Sequence, residues 1–439
     1  MTSAFSSRRL ALLAALASTL WLAACGGGGG GDGNGSTNVR ALNLTTDLPS
    51  IDIYTSDTKR FSAVATDTLA PSISFEANTY TLNVKRAGDG ATLLTGSYAL
   101  AKDQNYTAVV WGRETALRVS TLPENENTGD IAAGNTKVRF FNATTDTGAV
   151  DVFITSSTAD LGETSATRGN LTSGSLSGFS DLSQGTYRLR VTGQGDPNDV
   201  RLDIPAITLK DKSYATLVLT AGASGVLVNG TLIEQQGAVT TLKNTKARMR
   251  VVASVNTGGN VNVAVGGRTL AGGLRSPSVG PYTLVDAGTA VDLTVRVNGG
   301  VVTSGNRSFA AGTDYTLLTY GPAATPLVTV ITDDNRLPTA ATRVKVRLLH
   351  AAAGTDPLTL SADYLALASD IVTGTVSPYA TTNANPSVRI DVNSAAGVTS
   401  LFTATDVNLQ GQSVYTVLML GGNVVGGVET PTGVIRKER

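Results

Sequence analysis

Two residue types that carry much protein chemistry are almost missing from this chain. Its 439 residues include one cysteine, Cys25, and one histidine, His350. A single cysteine cannot form an intrachain disulfide, so each domain must be stabilised by core burial alone. Zinc sites built from Cys and His are excluded for the same reason. His350 aligns with asparagines in two related segments, so we expect it to hydrogen-bond a turn rather than serve a Ser-His-Asp triad.

Charged and aromatic residues are also scarce, at 15% and 5% of the chain, and 34 Lys plus Arg balance 34 Asp plus Glu. Without an excess of basic residues the protein has no strong positive electrostatic field to attract the phosphate backbone of DNA or RNA, so we expect no nucleic-acid partner. No acidic pair recurs in a consistent setting, so we expect no enzyme and no cofactor. By contrast, Gly reaches 48 and apolar residues 41%, and the bias toward Val, Thr and Asn favours strands and tight turns.

The N-terminal segment has the layout of a secretory signal. Arg8 and Arg9 precede an apolar run over residues 10–24. That length is typical of a signal-peptide core and is short of the ~20 residues that cross a bilayer. We therefore expect export.

The end of this segment, Leu22-Ala23-Ala24-Cys25, resembles the lipobox of bacterial lipoproteins. The resemblance implies signal-peptidase recognition of Leu22, Ala23 and Ala24, cleavage before Cys25, and a covalent lipid carrying chains such as palmitate on the Cys25 sulfur. Several acyl chains give a stable anchor. The same resemblance implies that an aspartate directly after the lipidated cysteine would favour inner-membrane retention; Gly26 stands at that position, so we expect sorting to the outer membrane. The alternative is an ordinary secretory signal with an incidental cysteine.

Residues 26–38 are dominated by glycine. A phosphate-cradling loop would need a Lys-Ser/Thr ending or a strand-turn-helix context, and neither is present. The segment is interpreted as a flexible tether with a reach on the order of 20 Å.

The rest of the chain repeats one frame four times. Each copy opens with an apolar segment containing an arginine, and it closes with an apolar segment led by a tyrosine after a polar turn. The openings carry Arg40, Arg139, Arg250 and Arg347, and the closings begin at Tyr106, Tyr214, Tyr315 and Tyr415. The period of roughly 100 residues exceeds the ~20–50 of solenoids. It indicates separate globular domains in a row.

Inside each copy, short segments such as residues 79–84, 186–191 and 291–297 alternate apolar with polar residues, as half-buried strands do. The predicted fold is all-β: four tandem antiparallel β-sandwiches of about seven or eight strands, immunoglobulin- or transthyretin-like. The predicted organisation is a lipoprotein signal peptide at 1–24, a lipidated cysteine and tether at 25–38, and β-sandwich repeats at 39–122, 137–236, 245–336 and 342–439. Short linkers, 123–136 and 337–341, would hold neighbours in a semi-rigid line.

The opening V-R-x-x-[NH]-[AL] and the closing Y-[TA]-x-x-x-x-G resemble the domain-of-unknown-function 4397 (DUF4397) family of bacterial envelope proteins. Residues 328–335, which lead into the fourth opening, share the resemblance. It covers residues 38–422 and is good in copies one, two and four, whereas copy three lacks the Asn or His of the opening. The family implies an exported sandwich domain, often in tandem, and brings no established activity.

The recurring residues have structural interpretations. We expect each closing tyrosine to fill a core while its hydroxyl bonds a turn, as in a tyrosine corner, rather than to stack a ligand. The arginines could pair across strands with Asp52 and Asp151, although Thr359 replaces the aspartate in copy four. Such sheet-surface or interface pairs are worth ~0–1 kcal/mol.

Two loops are dense in oxygen ligands, and calcium is a weak candidate there. The candidate ligands are Asp196, Asn198, Asp199, Asp333 and Asp334. Neither loop has EF-hand spacing, and solvated turns are the simpler interpretation. Trp111 could be an exposed carbohydrate platform, but core filling is favoured because aromatics are few.

Three functions stay open. The first is a non-catalytic, outer-membrane-anchored spacer or interaction array, facing the periplasm or the outside, whose partners beyond the membrane are an envelope protein or an extracellular polymer. The second is a polysaccharide-binding or adhesin-type ligand binder, which exposed aromatics at the loop ends would favour. The third is a hydrolase with an unrecognised carboxylate site. The sequence leaves the oligomeric state open.

Overall fold

The computed structural model describes residues 35–394, 400–425 and 428–439. The predicted signal peptide, the lipobox residues Leu22, Ala23 and Ala24, and the lipidation site Cys25 lie outside the described residues. Among the residues described, no helix is long and apolar enough to cross a membrane.

The described residues form strands connected by turns and three short 3-10 helices, Glu114–Ala116, Thr128–Asp130 and Asn256–Gly258. The first domain contains β1 (Ser36–Thr45), β2 (Ser50–Thr55), β3 (Thr58–Ala65), β4 (Thr68–Glu76), β5 (Asn78–Arg86), β6 (Thr92–Leu100), β7 (Asn105–Gly112) and β8 (Arg118–Pro123). The second contains β9 (Asn135–Asn142), β10 (Val150–Thr155), β11 (Arg168–Leu171), β12 (Ser180–Ser183), β13 (Gly185–Gly193), β14 (Asp196–Leu209), β15 (Tyr214–Ala221), β16 (Val228–Glu234) and β17 (Val239–Leu242).

The other two domains repeat this order. The third contains β18 (Lys246–Val255), β19 (Asn260–Val265), β20 (Arg268–Arg275), β21 (Ser278–Val279), β22 (Thr283–Asp286), β23 (Gly288–Val297), β24 (Gly300–Phe309), β25 (Asp314–Gly321) and β26 (Leu327–Asp333). The fourth contains β27 (Arg343–Ala351), β28 (Leu358–Ala362), β29 (Leu365–Ile371), β30 (Thr375–Val376), β31 (Ala380–Asn383), β32 (Asn385–Ser394), β33 (Ser400–Leu409), β34 (Ser413–Val425) and β35 (Val428–Lys437).

Each domain is built from two sheets. We call the sheet with the first and the closing strand the opening sheet, and the other the second sheet. The opening sheets have the orders β4-β1-β7-β8, β12-β9-β15-β16-β17, β21-β18-β25-β26 and β30-β27-β34-β35, with β22 and β31 also paired to β18 and β27. The second sheets have the orders β3-β2-β5-β6, β11-β10-β13-β14, β20-β19-β23-β24 and β29-β28-β32-β33. The predicted fold class, tandem β-sandwiches in an all-β chain, is confirmed.

One strand pairing in each domain departs from the predicted antiparallel pattern. The first and the closing strands run parallel, as when Val39 pairs with Tyr106 and Val346 with Tyr415. A parallel pair needs a long crossover between its strands. Here the intervening strands, including the whole second sheet, supply that crossover.

The first strands are buried on both faces, as the nearly continuous burial of β1 and β18 shows. One face packs against the second sheet of the same domain and forms that domain's core, where Val39 and Ala41 meet Ile51 and Val84. The other face packs against the opening sheet of a neighbouring domain. The opening strands therefore read as continuous apolar runs instead of alternating ones.

The opening sheet of the first domain packs against that of the second, and the opening sheet of the third domain packs against that of the fourth. Each of these two pairs shares a hydrophobic cluster. The first cluster joins Leu42, Leu44, Val109, Trp111 and Leu122 to Phe141, Ala143, Val218 and Ile233. The second joins Val252, Leu318 and Ile331 to Leu349, Ala351, Leu418 and Leu420. The domains on either side of the predicted linkers 123–136 and 337–341 therefore also meet directly through their sheet faces.

Candidate functional site

The four recurring arginines make the same contact in every domain. The parallel register places each arginine opposite a threonine of the closing strand, and the arginine Nε donates a hydrogen bond to the threonine Oγ1. The four distances are 2.8 Å for Arg40–Thr107, 2.9 Å for Arg139–Thr216, 2.8 Å for Arg250–Thr316 and 3.1 Å for Arg347–Thr416. All four arginines are buried, on the face that meets the neighbouring domain.

In the first domain an acidic residue from the segment predicted as a linker accepts hydrogen bonds from both members of this pair. Glu124 accepts from Arg40 Nη2 at 2.7 Å and from Thr107 Oγ1 at 2.6 Å. The same guanidinium donates to the backbone oxygens of Glu234 and Gly237 in the second domain. Arg40 therefore bridges the two opening sheets.

In the second domain pair the acids are exchanged between domains. Arg347 of the fourth domain donates to Asp333 of the third at 2.6 Å, and Arg250 of the third pairs with Glu438 of the fourth at 2.7 Å. Thr316 also donates to Asp333, at 2.6 Å. Burial opposes the charged guanidinium of Arg347, but the Asp333 carboxylate, together with Tyr379 and Tyr282, outweighs burial and raises the Arg347 pKa. Each domain thus supplies the counter-ion for the other.

Aromatic rings cover three of these arginines. Phe179 lies 4.8 Å from the Arg139 guanidinium, Tyr282 lies 4.8 Å from that of Arg250, and Tyr379 lies 4.7 Å from that of Arg347. Such stacking stabilises a cation that has left water. Sequence reasoning missed these rings, although each follows a Gly or Pro and precedes a short strand at corresponding places.

The predicted pairing of arginines with Asp52 and Asp151 was wrong. Asp52 accepts from Lys59 Nζ and from the Ala63 amide, both at 2.7 Å. Asp151 accepts from the amides of Asn170 at 2.7 Å and Gly195 at 2.8 Å. The physical reason is topological: these aspartates lie on second sheets, whereas the arginines lie on opening sheets.

Three of the four closing tyrosines form the expected corner. The hydroxyl oxygens of Tyr106, Tyr315 and Tyr415 accept from amides five residues earlier, at 3.3, 2.9 and 3.2 Å. Tyr214 differs. In the other three domains the tyrosine directly precedes the threonine that faces the arginine, whereas in the second domain Ala215 stands between Tyr214 and Thr216, so Tyr214 is displaced by one position along the strand. Its ring packs edge-on against Phe179 at 4.9 Å.

His350 lies in a turn-bonding position, as the alignment predicted. It is fully buried, and its Nε2 is 3.2 Å from Thr355 Oγ1 and 3.1 Å from Thr373 Oγ1. Asn43 and Asn142 bind turns in the same way, through Val64 O and Leu171 O. Burial lowers the pKa of His350 to about 4. A buried, neutral imidazole of this kind stabilises the turn.

Three of the five calcium candidates, Asp199, Asp333 and Asp334, pair with cationic side chains. Asp199 pairs with Arg201 at 2.7 Å, and Asp333 pairs with Arg347. Asp334 pairs with Arg336 at 2.6 Å and Lys345 at 3.0 Å. Asp196 accepts the amide of Asn198 in its own loop at 2.9 Å. Within the described ranges no three His, Cys, Asp or Glu side chains are grouped to hold a metal ion.

Trp111 is buried, so it is not a carbohydrate platform. It is 5% exposed, its ring meets Phe141 of the second domain edge-on at 5.4 Å, and its Nε1 donates to Ser120 Oγ at 3.0 Å. The core-filling interpretation was right, and the core in question lies between two domains.

One loop end does expose apolar side chains. Tyr364 and Leu365, at the turn between β28 and β29, are 79% and 70% exposed. The corresponding turns carry Ser56 and Asp57 in the first domain and Gly266 and Gly267 in the third. The apolar tip is therefore a feature of the fourth domain and not of the repeat.

A family model described as a domain of unknown function, DUF4397, matches residues 37–153 and 247–361, slightly more than half of the chain. Each match spans one whole domain and the first two strands of the domain packed against it. The weakly patterned third copy is thus included. No curated protein matches the chain.

Solved structures give weak similarities. A candidate cell adhesion protein from Bacteroides uniformis is 12% identical, with a TM-score of 0.21, over 46% of this chain and 98% of that one. A family 26 carbohydrate-binding module of Eubacterium rectale Amy13K, in complex with maltoheptaose, is 11% identical with a TM-score of 0.14, over 47% and 95%. A second candidate adhesion protein, from Bacteroides ovatus, is 14% identical with a TM-score of 0.17, over 46% and 96%. Scores this low carry no argument about function.

Proposed function

Because the chain belongs to the DUF4397 family of domains of unknown function, we propose its role from its own contacts: a non-catalytic, lipid-anchored envelope protein whose β-sandwiches form a rigid scaffold. The supporting observation is where the recurring polar residues lie. All four arginines and their threonine partners are buried against neighbouring domains. In the part of the chain that the structure describes, the arginines and threonines that define the repeat hold domains together and are not displayed toward a substrate.

The packing supports rigidity. Each pair combines an apolar cluster with buried, hydrogen-bonded charges. Apolar burial contributes roughly 25 cal/mol per Å², and buried ion pairs fix one relative position because a shifted partner leaves a charge without its counter-ion. Large apolar interfaces of this kind suppress the domain motions expected across small polar ones.

The pairs also touch each other. The Asp314 amide in the third domain donates to Ser224 Oγ in the second at 3.0 Å, and Ser224 N donates to Gly312 O at 3.2 Å. Arg439, from the fourth domain, donates to the backbone oxygens of Thr147 and Gly225 in the second. These contacts extend the scaffold across all four domains.

Anchoring in this proposal is carried by Cys25. Each buried acyl CH₂ contributes ~0.8 kcal/mol, so several chains hold the protein at the membrane. The glycine-rich segment after Cys25 would separate the scaffold from the lipid surface. The outer membrane is the proposed location, because Gly26 follows the lipidated position.

Anchoring is tested by replacing the sulfur. We expect Cys25→Ala to lose palmitate labelling and to leave the outer-membrane fraction, either released or retained as an unprocessed precursor. The matched control is Ser18→Ala, which alters the apolar run but keeps the lipobox, and it should behave as wild type. Palmitate labelling of Cys25→Ala at the wild-type level would overturn the anchor.

The alternative, a polysaccharide-binding or adhesin-type binder, is favoured by the exposed Tyr364–Leu365 tip. An exposed ring can stack on a sugar face, and here Arg389 lies 5.4 Å from the Tyr364 ring. If the tip binds polysaccharide, Tyr364→Ala should abolish co-sedimentation with the insoluble envelope polysaccharide. Under the scaffold proposal, wild type and Tyr364→Ala should sediment equally little.

A further inference from the structure

A cavity of about 660 Å³ opens where the second, third and fourth domains meet. Its walls include the start of β14 in the second domain, Arg248, Arg268 and Tyr282 of the third, and Glu438 and Arg439 of the fourth. The volume lies within the range of small-molecule sites, about 300–1,000 Å³.

Two of the three carboxylates in the wall already have cationic partners. Asp199 accepts from Arg201 at 2.7 Å and lies 3.5 Å from Arg248, and Glu438 pairs with Arg250 at 2.7 Å. Arg248 is bound by both oxygens of Asp314, at 3.0 and 2.8 Å. These groups neutralise one another and form a closed network.

The remaining acid in the wall stands apart from this network. Asp196 is exposed at the rim, where it accepts the Asn198 amide of its own loop at 2.9 Å. Its charge is therefore screened by solvent, and it does not serve the buried cations deeper in the wall.

Two guanidinium groups in the same wall form no direct ion pair with a carboxylate among the residues described. Arg439 donates to the backbone oxygens of Gly225, at 3.0 Å, and Thr147, and the charges of Asp199 and Asp314 act on it from farther away. Arg268 is exposed, its guanidinium makes no hydrogen bond within the described part of the chain, and its charge acts on Asp286 without a direct contact. The guanidinium of Arg268, and the donors that Arg439 does not use on those two carbonyls, remain available to a ligand in the cavity.

Arg439 lies among other cations at the domain junction. Burial, and then the nearby charges of Arg201 and Arg248, lower its pKa to about 9, and the carboxylates of Asp199 and Asp314 only partly oppose this effect. A cation whose charge is only partly offset is costly to bury, and an oxyanion beside it would relieve that cost. Guanidinium groups suit such ligands because they donate two parallel hydrogen bonds.

We propose that this three-domain cavity binds an oxyanion group, a carboxylate, sulfate or phosphate, on a ligand no larger than a small sugar, with Arg268 and Arg439 as its donors. Arg268, on the outer wall, engages the ligand as it enters, and Arg439 holds it at the domain junction. Tyr282 lies beside them in the wall, with the Arg248 and Arg250 guanidinium groups each 4.8 Å from its ring. The site belongs to the assembled scaffold, since each of three domains contributes part of its wall.

The test is titration calorimetry on the purified full-length protein, with inorganic phosphate, glucuronate and glucose as probes. We expect one site per chain for phosphate or glucuronate, weakened by added NaCl, and no binding of glucose. Phosphate alone would indicate a free anion or headgroup phosphate, and glucuronate alone a uronic-acid sugar; both results support the oxyanion site.

The variants identify the cavity. Arg268→Gln and Arg439→Gln should each weaken binding by roughly tenfold or more, as expected for losing a charge-assisted hydrogen bond. Arg307→Gln is the matched control, because it removes an exposed arginine from the same domain outside the cavity wall, and it should bind as wild type. Because Arg268 is exposed, its variant tests the site even if Arg439→Gln destabilises the junction. No binding of either anion, or unchanged binding by Arg268→Gln, would overturn the proposal.

Discussion

Arg347 and Asp333 belong to different domains, yet their side chains, 3% and 0% exposed, meet at 2.6 Å. Asp333 ends β26 in the third domain, and Arg347 lies in β27, the first strand of the fourth. The carboxylate also accepts hydrogen bonds from Thr316 at 2.6 Å and Tyr282 at 2.7 Å. One buried acid thus joins the opening sheet of one domain to the recurring arginine of the next.

Removing this arginine should be strongly destabilising. Arg347→Met keeps the apolar stem but leaves Asp333 buried without a cation, which costs about 3–5 kcal/mol. The free energy of unfolding of the third and fourth domains, measured in urea, should fall by that amount. Lys246→Met is the control, because Lys246 pairs with Asp286 in the third domain with both side chains exposed, at 37% and 57%, and its loss should leave the midpoint unchanged. Equal effects of the two variants would contradict the buried-pair account.

His350 should make the fourth domain sensitive to acid. Its pKa in the fold is about 4, below the ~6.5 of an unfolded chain. Between these values the unfolded state binds the extra proton, so stability is full above pH ~6.5 and falls as pH drops toward 4. The maximum loss is about 3 kcal/mol.

The control for this acid-dependent loss of stability is a substitution that the other domains already contain. His350→Asn introduces the residue found at the same position in the first two domains, where it also binds a turn. Urea unfolding at pH 7 and pH 4.5 should show wild type losing more stability than His350→Asn. Identical pH dependence would mean that the histidine does not titrate as described.

The tyrosine corner has a built-in comparison. Tyr315→Phe removes the acceptor of the Ala310 amide, 2.9 Å away, and should cost about 1 kcal/mol. Tyr214→Phe removes a hydroxyl for which the described residues provide no partner, so its effect should be smaller. Chemical denaturation of each variant measures the difference. A reversed order would show that the hydroxyl bond is not what stabilises the corner.

Trp111 should link the stability of the first two domains. Trp111→Ala removes the ring that packs on Phe141, and large-to-small changes at buried aromatics cost about 3–5 kcal/mol. Hydrogen exchange should rise in β7 and also across the interface in β9. Tyr364→Ala, at an exposed tip, is the control with no expected change. Faster exchange confined to the first domain would contradict a shared core.

The sequence predicted the repeat, the sandwich class and the roles of His350 and three of the four tyrosines, because local pattern and alignment carry that information. It did not predict where the arginines point. A strand buried on both faces looks the same whether its second face meets a sheet of its own domain or another domain. The exchange of Asp333 and Glu438 between domains depends on long-range packing, which no local pattern records. The shift of Tyr214 was missed because sequence alignment favoured matching tyrosines over matching threonines.

Fixed domain pairing is the central claim, and a distance measurement tests it most directly. In a Cys25→Ala background, spin labels at Ser308→Cys and Thr405→Cys occupy exposed positions on the second sheets of the third and fourth domains. Double electron–electron resonance should give one narrow distance distribution, and Arg347→Met should broaden it. A broad distribution before that substitution would contradict a scaffold held by buried arginines.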